Sequence, residues 1–185
     1  MTMSESERPN DLLLLAGRLL AILMQGLMAI AAAGILFALV GVPFFADDID
    51  AAMAEEFGAS AMALPVAPTL GLLATVLVVV VCIFFFFKRL RQIVETVGRG
   101  DPFAPENAAR LTAMAWLALA AQLLMYLAKA FALQVEAWVR SLEEATLQVD
   151  VSLDIEGIVL VIVLFILARV FRHGTAMRED LEGTV

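Results

Sequence analysis

Residues 88–110 read KRLRQIVETVGRGDPFAPENAAR and divide two long apolar runs, 70–87 and 111–128. Lys88, Arg89, Arg91, Arg99 and Arg110 are five of the twelve Lys and Arg in the chain. A short connection this basic stays on the cytoplasmic side of a membrane, because Lys and Arg near span ends resist translocation. The rest of the chain takes its sidedness from that segment. Composition agrees, since 62% of the 185 residues are hydrophobic, well above the roughly 45–50% of a soluble domain. The length suits about four spans of ~20 residues with short connections. The expected fold is therefore an all-α integral membrane protein, one domain over 1–185. Its four transmembrane helices fall at about 19–41, 68–87, 111–133 and 157–172, with both termini cytoplasmic.

Within the dividing segment, Leu90, Ile93, Val94 and Val97 recur at helical spacing among Arg and Gln. The second helix is thus expected to continue as an amphipathic extension to Gly98, where Gly98 and Gly100 end it. Asp101-Pro102-Phe103 reads as a tight turn. Pro105-Glu106-Asn107 opens the third helix, with acidic and Asx residues near its positive end. That helix should run to about Arg140, beyond what the hydrocarbon requires, with Trp138 at the interface and Glu136 and Arg140 as an i,i+4 pair. Gln122, Tyr126, Lys129 and Glu136 share one face at offsets of four, seven and fourteen, together with Ala118 and Met125, and that face is expected to meet other helices. Lys129 stands about 27 Å along the helix from Leu111. There its ammonium would reach headgroups or Glu136.

On the N-terminal side, only Arg18 and Gln25 interrupt residues 12–45. The run is long for a signal-peptide core and lacks a small-residue cleavage site, so it reads as a retained span. Ala31, Gly34, Ala38 and Gly41 set small residues on one face, which lets two helices approach closely, a second copy of the chain included. Residues 42–63 carry Asp47, Asp48, Asp50, Glu55 and Glu56 without a Lys or Arg and are expected outside. Asp47 or Asp48 would cap a short separate helix through Phe57, ended by Gly58. Pro65 and Pro68 would then lead in extended form to the second span.

On the C-terminal side, residues 146–156, TLQVDVSLDIE, alternate strictly between apolar and polar. This period of two predicts a β-strand in a short extracytoplasmic cap, paired with 44–45 and 64–66 or with a second copy of itself. The fourth span begins near Gly157 as IVLVIVLFILARVF. It is short, so Arg169 is expected to snorkel toward the inner interface. The helix then continues through Arg178. Counted over the whole chain, ten Lys and Arg fall on the proposed inside and Arg140 alone outside, with Lys129 in or near the membrane, while eleven carboxylates fall outside.

Gly100-Asp101-Pro102-Phe103, followed by Glu106-Asn107 and Arg110-Leu111, is the first of two recurring groups of residues. The second is the ending Phe171-Arg172-His173-Gly174, Arg178-Glu179 and Thr184-Val185. Together they resemble a bacterial family of four-span membrane proteins catalogued as domain of unknown function 2975. The resemblance implies a place in the bacterial inner membrane. Members often have a small helix-turn-helix regulator encoded beside them, which implies a regulatory connection to a cytoplasmic partner protein. Asp101, Phe103, Arg172 and Arg178 are the candidate interaction residues. The chain departs from the family at Glu182-Gly183, where a Leu more often precedes the terminal Thr, and this weakens any apolar docking tag there.

Several chemistries lack their residues. Quinone-linked thiol oxidation needs paired cysteines and a haem-carrying bundle needs axial ligands such as paired histidines, but Cys82 and His173 are the only Cys and His. A small proton-coupled exporter needs an intramembrane carboxylate, and the four apolar cores contain none. The outer carboxylates lack the ligand order of a calcium loop. A formal charge of −8 argues against direct nucleic-acid binding. No cofactor is expected, and the chain reads as a non-enzymatic membrane protein. Two functions remain open. One is sensing at the acidic outer side with interaction through the basic loop and tail. The other is a small oligomeric transporter or channel lined by Gln122, Tyr126 and Lys129.

Overall fold

Four helices carry the described residues: α1 (Arg8–Phe57), α2 (Val66–Gly98), α3 (Pro105–Arg140) and α4 (Ile155–Glu182). The computed structural model describes residues 8–57, 63–140 and 154–182, with the backbone alone at 8–11, 57, 179, 181 and 182. No strand occurs among the described residues. The stretches Leu12–Glu56, Val66–Gly98 and Pro105–Arg140 are long and apolar enough to cross a membrane.

α1 departs from the expected pattern. Instead of a span, a break and a short capped helix, it is one helix of 50 residues with Pro43 inside it, about 75 Å long at 1.5 Å per residue. Pro43 has no N–H to offer the Leu39 carbonyl, yet the helix runs through. Residues 46–57, ADDIDAAMAEEF, explain why, since four Ala, two Glu and one Met outweigh three Asp with no glycine until Gly58, so that propensity favours continuation. Asp47 and Asp48 are therefore interior residues and not caps. Asp50 has another task, for its Oδ1 accepts the Leu64 N–H at 2.7 Å and ties α1 to the start of α2. That start differs too. Val66 is already helical and Pro68 sits in the first turn, where a missing N–H costs nothing.

The strand expected over 146–156 lies outside the described residues except at its end. There Ile155 and Glu156 form the first turn of α4. Two of its expected partners, Phe44 and Phe45, lie inside α1.

The chain divides into two compact units. One comprises Met1–Ala29, Cys82–Ala120 and Ile155–Val185, the other Ile30–Val81 and Ala121–Asp154. The first has a buried core of Leu111, Met114 and Ala115 from α3 with Leu164 and Ala168 from α4, against which Phe86, Leu90 and Ile93 of α2 pack. The spacings 111-114-115-118 and 86-90-93 are those of helix faces turned to a core. Trp116 meets Phe165 edge-on at 5.4 Å. α1 joins through Gly17, whose missing Cβ would stand 3.8 Å from Val94, and through Arg18, which with Arg91 flanks Glu95 at 3.8 and 3.6 Å.

In the second unit the close approach of α2 and α3 depends on Gly71. A Cβ there would fall 2.7 Å from the Phe131 ring, so a side chain is excluded. One turn on, the buried Thr75 hydroxyl donates to the Gly71 carbonyl at 2.7 Å.

Candidate interaction surface

α2 ends as the two glycines predict. Gly100, with φ of 82°, takes the left-handed conformation open to glycine. Its N–H donates to the Val97 carbonyl at 3.0 Å, and the Asp101 N–H donates to that of Thr96 at 3.1 Å. This pair of reversed bonds is a Schellman C-cap. It turns the chain sharply into Asp101-Pro102-Phe103-Ala104, closed by the Ala104 N–H on the Asp101 carbonyl at 3.4 Å.

Asn107 holds the turn from beneath. It is the largest side chain buried completely among the described residues. Its Nδ2 donates to the Pro102 carbonyl at 3.0 Å, and its Oδ1 accepts from Arg110 Nη1 at 2.8 Å. The Thr96 hydroxyl lies 3.0 Å from the same Oδ1 and 2.8 Å from the Ile93 carbonyl, and its one proton serves one acceptor at a time. Arg110 Nη1 also reaches the Gln92 carbonyl at 3.4 Å. A buried amide satisfied on both ends rigidifies its surroundings. Here it fixes the C-terminus of α2, the turn and the N-terminus of α3 together.

The upper side of the turn rests on α4. The Phe103 ring lies over Gly174, where a Cβ would stand 2.7 Å from it, and meets Phe171 at 5.6 Å between centroids. The Thr175 hydroxyl stands 3.0 Å from both the Phe103 and Phe171 carbonyls. Arg178 Nη1 donates to Asp101 Oδ1 at 2.5 Å. Of the four candidate interaction residues, Asp101, Phe103 and Arg178 are thus in one cluster. Arg172 is exposed on α4 and borders a groove with Pro105, Ala109 and Ala176. Phe103 keeps 41% of its surface exposed, so one ring edge stays free while the other is covered.

Asn107 and Gly174 do more here than their sequence positions suggest. Asn107 reads locally as one more polar residue in a helix start, and its burial depends on the fold of the turn. Gly174 and Thr175 have no periodic signal at all, and only the return of α4 to the turn gives them a role.

The polar face of α3 is only partly what its spacing predicts. Lys129 Nζ stands 5.5 Å over the Tyr126 ring, and the Tyr126 hydroxyl accepts the Asp154 N–H at 3.4 Å. Gln122 is half-buried. Glu136 is buried and pairs with Arg140 as expected. Met125, expected against other helices, is exposed within this chain.

The family described as protein of unknown function DUF2975 matches residues 49–185, which include the turn, Asn107 and the whole of α4. The chain belongs to this family. Both groups of DUF2975-like residues, 100–111 and 171–185, lie in the matched region, and Asp101, Phe103, Phe171, Gly174 and Arg178 among them pack together in the turn and α4. No curated protein and no solved structure matches the chain.

Proposed function

We propose that this DUF2975 protein is a four-span protein of the bacterial inner membrane that acts by interaction and not by catalysis. It senses conditions at its acidic outer segments and presents the turn and the end of α4 to a cytoplasmic, regulatory protein. α4 is the fourth span, with Arg169 reaching the inner interface. The asymmetry of Lys and Arg supports a cytoplasmic turn and cytoplasmic termini.

One observation carries this reading. Two segments 77 residues apart in sequence, one of them a short connection between two helices, are locked into one surface by Asp101–Arg178, Phe103–Gly174 and the Thr175 hydroxyl. Polar rim residues around a partly exposed aromatic side chain suit recognition of another protein. The transporter reading draws less support, because Lys129 stands over the Tyr126 ring and the Tyr126 hydroxyl is engaged by the Asp154 N–H.

The test compares wild type with Phe103→Ala and with a chain lacking residues 177–185. All three are purified from membranes, and the cytoplasmic proteins that come with them are identified. The reading expects a specific protein to accompany wild type and to be lost from both variants while membrane insertion stays normal. Identical sets of proteins from all three would refute it.

A further inference from the structure

α4 carries a second feature that the turn does not use. Arg169, Arg172 and His173 follow at i, i+3 and i+4, which sets them within about 100° of arc on one helix face. They line an open groove of about 960 Å³ whose other walls include Phe103, Ile166 and Val170. Among the described residues no Asp or Glu lines this groove, and neither Arg169 nor Arg172 has a hydrogen bond or ion pair. In a chain of net charge −8, two unpaired guanidiniums beside an apolar wall are an unusual concentration.

We infer that this groove binds an anionic membrane phospholipid. Its phosphate would be held between Arg169 and Arg172, with an acyl chain along Ile166 and Val170. The chemistry of the walls selects this occupant. Guanidinium forks match phosphate oxygens in geometry and charge, while the apolar wall has no use for a free anion. Position agrees as well. The uncharged stretch of α4 is residues 157–168, about 18 Å at 1.5 Å per residue, short of the ~30 Å hydrocarbon. Arg169 therefore stands where the apolar part of the helix gives way to charge, at the depth where headgroups lie when α4 spans the bilayer. His173, one turn beyond, extends the polar rim.

The inference rests on α4 being a membrane span, and that reading has its own check. A cysteine at Ile162, in Cys82→Ala protein, should be shielded from a water-soluble maleimide.

Lipid selectivity is measured on the full chain in nanodiscs of equal phosphatidylglycerol and phosphatidylcholine, with retained lipids counted by native mass spectrometry. Wild type should retain phosphatidylglycerol preferentially. Arg169→Gln with Arg172→Gln should reduce that preference about tenfold or more, as expected for two interfacial cations. Arg169→Lys with Arg172→Lys should keep most of it. Arg89→Gln with Arg99→Gln makes the same charge change outside the groove and should leave the preference intact. In detergent, phosphatidylglycerol should raise the unfolding temperature and inorganic phosphate should not. The inference is overturned if wild type retains both lipids equally, if the Arg89/Arg99 variant loses as much as the groove variant, or if inorganic phosphate stabilises as well as the lipid. The wild-type and phosphate measurements decide the matter even where the groove variant fails to insert.

Discussion

Arg178 Nη1 donates a 2.5 Å hydrogen bond to Asp101 Oδ1, joining the last turns of α4 to the sharp turn between α2 and α3. Both side chains are about half exposed, so the pair itself is worth little, roughly 0.2–1 kcal/mol. It marks the contact more than it sustains it. The close fit of Phe103 on Gly174 beneath it carries the greater part.

Gly174→Ala is accordingly expected to destabilise the protein by about 1–3 kcal/mol, the usual cost of overpacking, because the new Cβ meets the Phe103 ring at 2.7 Å. Thermal unfolding in detergent should show the loss. In a Phe103→Ala background the same substitution should cost almost nothing. Equal costs in the two backgrounds would mean that Phe103 and Gly174 do not touch.

Asn107→Leu keeps the branched shape and removes three polar contacts, leaving the Pro102 carbonyl without its donor and Arg110 Nη1 with only the Gln92 carbonyl at 3.4 Å. A loss of about 2–3 kcal/mol is expected, from the cost of unsatisfied buried groups. Asn107→Asp can still accept from Arg110 but cannot donate to Pro102, so it too should unfold at a lower temperature than wild type. Wild-type stability in Asn107→Asp would show that the Pro102 bond is dispensable.

In the second unit, Gly71→Ala drives a Cβ against the Phe131 ring at 2.7 Å, while Gly34→Ala meets nothing within 4 Å in this chain. The first should lower the unfolding temperature by several degrees and the second should leave it unchanged. Loss of stability at Gly34→Ala, together with loss of a crosslinked dimer, would reveal a second copy of the chain against the small face of α1.

Much of this fold is legible in sequence because it is local. The extension of α2 to Gly98, the glycine stop, the Asp-Pro-Phe turn, the opening of α3 at Pro105 and the Glu136–Arg140 pair all depend on neighbours within a turn or two. The continuous α1 was not legible, since Pro43 and the acids after it resemble a helix end, while the Ala and Glu content outweighs both. The alternation in 146–156 misleads at its last two residues, which belong to α4. The candidate surface was half legible. Asp101, Phe103 and Arg178 stand out as residues, but their meeting depends on α4 returning to the turn. The roles of Gly174 and Thr175 follow only from that return, and the burial of Asn107 follows from the fold of the turn over it.

Whether the joined turn and tail face the cytoplasm is measured most directly by labelling single cysteines in intact cells with a membrane-impermeant maleimide, in a Cys82→Ala background. Gly100, with its positive φ, is a poor host for a side chain, whereas Glu106 is exposed. Cysteines at Ser60 and Ser152 should label from outside, and one at Glu106 should label only after the membrane is opened. Labelling of Glu106→Cys in intact cells, with Ser60→Cys and Ser152→Cys protected, would place the surface outside and contradict a cytoplasmic partner.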